Sequence, residues 1–353
     1  MKIAQVAPLY ESVPPAKYGG TERIVSYLTE ELVREGHDVT LFASGDSKTS
    51  AHLVPQCRRA LRTDERCLDP LAPHVTMIEQ VWRRAHEFDI LHFHVDYLHY
   101  SVCRRLETPH LTTLHGRLDL PELPPLYRTF SDVPVNSISQ AQRKPLPFAN
   151  WVGTVAHGLP EALYAFDEAP GNYLTFVGRV SPEKGLDRAI EIARRADMPL
   201  KIAAKVDQKD RDYFEAVLRP AMNHPSIEFL EEIGDGEKQE LIGKARAVLF
   251  PINWPEPFGI VMIEALACGT PVIAFRCGSV PEVIEEGVTG FVVSDVGQAV
   301  KSVERLASLS RKQCRAAFEQ KFSAGRMAAA YTALYEKLQS PGKDVEVEVH
   351  QCL

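Results

Sequence analysis

Two carboxylates eight residues apart, Glu256 and Glu264, bracket a proline-rich loop and the start of an apolar run. Pro251, Pro255 and Pro257 stiffen the loop, and the pattern that follows predicts a helix over 258–268. Amides in the first turn of a helix have no intrahelical acceptor, so those of Phe258, Gly259 and Ile260 are suited to a phosphate. Gly259 lets a ligand come close to the backbone. Glu264 stands among Val261, Ile263, Ala265 and Leu266, and a carboxylate buried there needs hydrogen-bond donors, which sugar hydroxyls would supply.

A second group lies in Phe176 to Leu186, where Gly178, Arg179, Lys184 and Gly185 punctuate the end of a strand. Arg179 offers a planar fork of donors and Lys184 a compact charge, both suited to phosphate oxygens. Such a set holds a diphosphate and stabilises the charge that develops as a bond to it breaks. Gly19 and Gly20 form a third, weaker signal at the first strand–helix junction, in Tyr18 to Arg23. Taken singly, these residues have plain readings: a solvated Glu256, a salt-bridged Glu264, a surface Arg179 and Lys184, an ordinary glycine turn.

The histidines are less specific. His92 and His94 share one face of a strand, with Asp96 and His99 close behind and His115-Gly116 later. No compact partner set accompanies them, so a polar cleft lining is favoured over a metal site. Arg143, His157 and Lys205 complete the candidates.

The elements that must position these groups alternate as short apolar strands and longer helical patterns, the signature of parallel α/β sheets. Strands are expected over 2–7, 38–43, 89–93, 110–114 and 134–137, with helices over 21–35, 73–87 and 97–106. Residues 44–70 carry no clear pattern. The alternation restarts at 173, with strands over 174–177, 200–203, 227–230, 247–251, 271–275 and 290–293. Helices are expected over 186–196, 258–268 and 323–338. This gives a first domain over 1–157, a linker over 158–172, a second domain over 173–322, a terminal helix over 323–340 and a frayed tail over 341–353. Ligands of open parallel sheets bind beyond the C-terminal strand ends, where every candidate loop falls.

Composition narrows the class. The chain has 353 residues, a net charge of −7 and 45% hydrophobic residues. An acidic balance argues against nucleic acid. Seven cysteines lack any C-x-x-C pair, which fits reduced thiols and a cytoplasmic setting. The first residues read as a strand, not a signal peptide, and no window of about 18 apolar residues occurs. A basic stretch from Arg58 to Arg66 is interrupted by Asp64 and Glu65, favouring a solvated helix over a membrane-surface one.

With these residues on the page, the chain resembles the retaining glycosyltransferases of family 4, which have the GT-B fold of two Rossmann-like domains facing across a cleft. The resemblance spans about residues 2 to 335 and is densest in the second half, where Glu256 to Glu264 matches the family's E-x7-E element. It implies that Glu264 holds the ribose of a nucleotide-diphospho-sugar and that Glu256 lies by the transferred sugar. Arg179 and Lys184 would hold the diphosphate, and His115 would sit beside the donor sugar. Gly19, Gly20 and Gly178 would contact the donor, with Asp96 and Arg143 on the acceptor side. The terminal helix is expected to cross back to the first domain. No metal or other cofactor is expected, and UDP-glucose is the favoured donor, with GDP-mannose as the alternative. The acceptor is a glycan or small molecule, and neither it nor the oligomeric state is specified. An epimerase would need acid/base carboxylates in a pattern that is missing. A glycan phosphorylase would need a far longer chain. A non-catalytic nucleotide-sugar binder would keep Glu264 without the Arg179/Lys184 pair.

Overall fold

Every strand among the described residues pairs in parallel with its neighbours, and inner strands such as Ala247–Phe250 and Val272–Phe275 are accordingly continuous apolar runs. A computed structural model describes residues 1–16, 19–169 and 171–340. Tyr18, Pro170 of the expected linker and the expected tail lie outside the described residues.

The first sheet contains β1 (Lys2–Val6), β2 (Asp38–Ser44), β3 (His52–Cys57), β4 (Ile90–Phe93), β5 (His110–Thr113), β6 (Val135–Ser137) and β7 (Trp151–Thr154). Its order is β3-β2-β1-β4-β5-β6-β7. The second contains β8 (Leu174–Arg179), β9 (Leu200–Lys205), β10 (Ile227–Phe229), β11 (Ala247–Phe250), β12 (Val272–Phe275) and β13 (Gly290–Val293), in the order β10-β9-β8-β11-β12-β13. The order in which strands are added reverses between β1 and β4 in one sheet and between β8 and β11 in the other. Such switch points open a crevice at the strand ends. Gly19 and Gly20 follow β1, and Asp96 follows β4. Arg179 ends β8, and Glu256 follows β11. Each pair of motifs therefore flanks a switch point of its own sheet.

Two connections join the halves. Leu159 N donates to Phe322 O at 2.9 Å and Ala324 N to Leu159 O at 2.8 Å, so the outward segment and the returning chain run side by side. The helix Ala324–Gln339 then crosses back, as expected, and buries Tyr331 and Tyr335 against the first sheet. One apolar cluster includes Ile24 and Leu28 of the helix Gly20–Arg34, Met262 of the helix Ile260–Ala267, and Tyr331. It ties both halves to the returning helix.

Some expectations change. Residues 44–70 hold the edge strand β3, which Pro55 and its half-exposed side chains disguise. No helix forms over 58–66. A single 3-10 turn, Leu61–Thr63, stands there, with Arg62 paired to Glu11 and Arg66 to Asp64. The helix expected over 97–106 contracts to Tyr100–Cys103, since the chain before it runs in turns, with Leu98 N bonded to Val95 O at 3.3 Å and Asp96 between them at a left-handed φ of 51°. Among the described residues, no helix is long and apolar enough to cross a membrane.

Candidate active site between the two sheets

A cleft of about 690 Å³ opens where the C-terminal ends of the two sheets face each other. It gathers Gly19, Gly20, Asp96 and His115 from the first half with Gly178, Arg179, Lys184, Glu256, Phe258, Gly259, Ile260 and Glu264 from the second.

Lys184 is placed by two loops pressed together. Asn253 N donates to Glu183 O at 3.0 Å, and Gly185 has φ 73°, where a Cβ would stand 2.2 Å from Pro251 O. Only glycine allows that approach. Lys184 Nζ consequently lies 4.9 Å from the centre of the Trp254 ring and forms an ion pair with the Glu256 carboxylate. Glu256 is fixed from behind: its carbonyl accepts from Ser279 N at 3.0 Å, and Gly278, with φ 55°, packs on its backbone. Arg179 stands 3.7 Å from Asp207 and 3.9 Å from Glu183. Those separations are too long for hydrogen bonds, which leaves its donors available to an anion.

The helix beyond Glu256 begins at Ile260, two residues later than the pattern predicts. Gly259 takes φ 81° at its N-cap, where a Cβ would meet Met262 Cε at 2.8 Å. The amides aimed out of the first turn are therefore those of Ile260 and Val261. Phe258 brings its ring instead, 4.9 Å from His157 in an edge-on contact. The later start leaves the Phe258 and Gly259 amides before the helix and only that of Ile260, among the three expected, in its first turn.

Glu264 is 4% exposed. Its Oε1 accepts from the Tyr164 hydroxyl and from Lys238 Nζ, both at 2.7 Å. The expectation that ligand hydroxyls alone supply donors is corrected: the chain supplies two, and Oε2 has no hydrogen-bond partner among the described residues. Burial opposes the Lys238 charge, yet Glu264 holds that ammonium above the usual lysine range. Lys238 also lies 3.3 Å from Asp235, which bonds Arg23 of the first half at 2.6 Å. Tyr164, Lys238, Asp235 and Arg23 were missed in the sequence. Tyr164, Lys238 and Asp235 belong to no motif and Arg23 only closes the Tyr18 to Arg23 segment, so it is the fold that brings them to Glu264.

The opposite wall is built from turns. Gly19 has φ 155°, and a Cβ there would meet Pro15 Cβ at 2.7 Å. Gly20 faces Ile260 across the cleft, 3.5 Å from its Cδ1 to an ideal Cβ. The Asp96 side chain makes no hydrogen bond or ion pair among the described residues, and desolvation by the surrounding protein raises its carboxyl above the ordinary range. His115 bonds His94 at 2.9 Å and stacks on His157 with ring centres 5.2 Å apart. Burial pushes the His115 imidazole down to about 3 and holds His94 and His157 well below the ordinary histidine range, so all three are neutral.

Arg143 is not brought to the cleft. It bonds Thr154 Oγ1 at 3.2 Å and lies 5.2 Å from the Trp151 ring. Its segment is a joint between the halves: Ser139 Oγ donates to Pro257 O at 2.6 Å, and the Gln140 and Ala141 amides donate to Glu282 at 2.7 Å. Lys205 does border the cleft, paired with Asp207 at 3.4 Å. Among the described residues no group of three or more His, Cys, Asp or Glu is arranged to hold a metal ion.

Comparison with known proteins follows the same division. Residues 18–159 match the family described as Glycosyltransferase Family 4, and residues 167–323 match Glycosyl transferases group 1. The chain is 23% identical to the O-antigen chain mannosyltransferase C of Escherichia coli, over 95% of this chain and 98% of that protein. It is 32% identical to the alpha-maltose-1-phosphate synthase of Mycobacterium tuberculosis, over 37% of this chain and 36% of that protein. An alignment with an uncharacterised 41.2 kDa protein of the Klebsiella pneumoniae cps region likewise spans 46% of that relative. Among solved structures, a glycosyltransferase involved in avilamycin A biosynthesis superposes with a TM-score of 0.74 at 23% identity, covering 96% of this chain and 98% of that one. Anabaena HepE in complex with UDP gives 0.73 at 19%, covering 96% and 100%. With the two families together matching most of its length, the chain belongs to the family 4, group 1 glycosyltransferases of GT-B fold, and it is a glycosyltransferase enzyme.

Proposed function

We propose that this enzyme transfers a hexose from a UDP-sugar, UDP-glucose above others, to an acceptor hydroxyl with retention of configuration and without a metal. One observation carries the reading. Two cationic groups, a helix N-terminus and a buried carboxylate converge on the second sheet's switch point, facing a neutral, histidine-lined wall. Diphosphate oxygens take Arg179, Lys184 and the Ile260 and Val261 amides, and ribose hydroxyls donate to Glu264 Oε2. Positive charge at the diphosphate stabilises the leaving group as the glycosidic bond breaks, which is the work a metal does elsewhere. The leaving phosphate accepts the proton of the incoming hydroxyl on the same face of the sugar, giving retention. Glu256, tied to Lys184, orients the sugar and is not a nucleophile. Asp96 reaches the acceptor from the first half. Arg143, bonded away from the cleft, has no part in this reading.

The UDP assignment draws on the HepE complexes with UDP and with UDP-glucose. The relation to the O-antigen chain mannosyltransferase supports GDP-mannose as the second reading. A panel of UDP-, GDP- and ADP-sugars in EDTA separates them by nucleotide release, with the product anomer read by NMR. Turnover with a UDP-hexose and a retained anomer is the expected result. Turnover only after adding a divalent ion, or an inverted product, would overturn the mechanism.

A further inference from the structure

A chain of hydrogen bonds links the cleft to the helix that returns from the second half. His115 Nε2 lies 2.9 Å from His94 Nδ1, and His94 Nε2 lies 2.8 Å from Gln5 Oε1. Gln5 Nε2 donates to the Tyr335 hydroxyl at 3.2 Å, and that hydroxyl is 2.6 Å from His92 Nδ1. His92 Nε2 then meets Thr113 Oγ1 at 2.8 Å, which meets the Tyr331 hydroxyl at 3.0 Å. Gln5, His92, Thr113 and Tyr335 are fully buried, and His94 is 3% exposed. These bonds are therefore sheltered from solvent, in surroundings where an unpaired polar group is costly.

With the Gln5 oxygen facing His94, donor and acceptor accounting gives the chain its direction. A neutral imidazole carries one N–H, and an amide oxygen only accepts. Gln5 turns its oxygen to His94, so His94 Nε2 carries the proton and His94 Nδ1 is a lone pair. His115 Nε2 must then be the donor to it, which leaves His115 Nδ1 without a hydrogen. On the other side, the Tyr335 oxygen accepts from Gln5 and passes its own proton to His92 Nδ1. Turning the Gln5 amide through 180° would reverse these bonds and put the proton on His115 Nδ1. The Tyr335 hydroxyl accepts from Gln5 Nε2–H and passes the same direction on to His92, so the orientation of the Gln5 amide carries the direction and Tyr335 is the link it acts through.

The far end of the chain lies against the cleft wall. His115 Nδ1 is enclosed and has no hydrogen-bond partner, and its ring borders the cleft. A buried lone pair of this kind is satisfied by a donor arriving with a ligand.

We propose that Gln5 and Tyr335 are positioning residues that hold His115 as its Nε2–H tautomer, leaving Nδ1 to accept a hydrogen bond from a substrate hydroxyl. The substrate half of this statement rests on the transferase reading; the tautomer does not. The returning helix thereby sets the chemistry of a cleft residue through Tyr335, a residue the second half of the chain supplies to the first.

Protein labelled with 15N-histidine tests both halves, by long-range 1H–15N spectra and by UDP release from UDP-glucose. The His115 signal is assigned with His115→Gln. The expected wild-type result is an Nε2–H tautomer at His94 and His115. Tyr335→Phe and Gln5→Met should mix the tautomers at both and lower kcat about tenfold, with KM for UDP-glucose nearly unchanged. Gln5→Met serves alone should Tyr335→Phe fail to fold. Tyr331→Phe removes a hydroxyl from the same helix beyond His92 and should leave the His115 signal as in wild type. An Nδ1–H tautomer in the wild type, or unchanged tautomers in both variants, would overturn the relay. Predicted tautomers with kcat unchanged would overturn the role of Nδ1. Predicted tautomers without any UDP-glucose turnover would refute the donor assignment and leave the relay standing.

Discussion

Lys184 and Glu256 are bonded to each other, a cation and a carboxylate from two loops that a glycine allows to touch. Both side chains are largely withdrawn from solvent, 17% and 13% exposed. Removing either one strands the other in the cleft. Lys184→Ala should cost roughly 3–4 kcal/mol of transition-state stabilisation, about 10²–10³ in kcat/KM, by analogy with deleting an oxyanion donor. Adding Glu256→Gln to it should cost much less than the two single losses combined, since the pair acts as a unit. A double-mutant cycle on nucleotide release checks this, and strict additivity would show that the two do not cooperate.

Glu264 has a structural part to play besides the ribose-binding role proposed for it. Glu264→Gln removes the charge facing Lys238, which keeps only the longer contact to Asp235. The cost should be near the low end of that for breaking a buried ion pair, about 3 kcal/mol. Urea unfolding measures it. Glu264→Gln combined with Lys238→Met should recover a large part, because the stranded charge is then gone.

Gly259→Ala should destabilise the fold as well as the site. Its φ of 81° disfavours any side chain, and a Cβ would stand 2.8 Å from Met262 Cε and 3.0 Å from Phe250 Cζ. A loss of more than about 1 kcal/mol is expected, with weaker nucleotide binding. Gly116→Ala is the control, since a Cβ there meets nothing within 4 Å. Equal thermal shifts for the two variants would contradict the argument.

Histidines that the fold keeps neutral should make stability depend on pH. Burial holds His92, His94, His99 and His157 well below the ordinary value of 6.5, and His115 at about 3. Unfolding lets them protonate near 6.5, so below that pH the unfolded state binds more protons than the folded one. Stability should be level above about pH 7 and fall as the pH drops below 6.5, by up to about 1.4 kcal/mol per unit for each histidine. Denaturation at a series of pH values shows the slope. A profile flat down to pH 5 would mean that these histidines are charged or exposed.

The parts legible in the sequence were those that local chemistry announces. Gly19, Gly185 and Gly259 mark turns that bring loops together, and the runs before them are strands because both faces are covered. The edge strands β3 and β7 were not legible, since β3 contains Pro55 and both are half-exposed. The partners of Glu264 were hidden for another reason. Lys238 is 26 residues from it and Tyr164 is 100 away, and nothing local marks either as a neighbour. His92 and His94 announced a shared face, but their link to Tyr335 spans 243 residues and depends on the final helix crossing back. Arg143 misled because its Ser-Gln-Ala-Gln segment looks like a cleft loop while serving as a joint with Glu282.

The central claim is that this cleft holds a nucleotide diphosphate on Arg179 and Lys184 without a metal. Calorimetric titration of UDP into EDTA-treated wild-type protein, and into Arg179→Ala and Lys184→Ala, tests it most directly. The account predicts binding to the wild type in EDTA, weakened at least about tenfold in each variant, as expected for losing one charge-assisted contact. Equal affinity in all three proteins, or wild-type binding that appears only with added divalent metal, would contradict it.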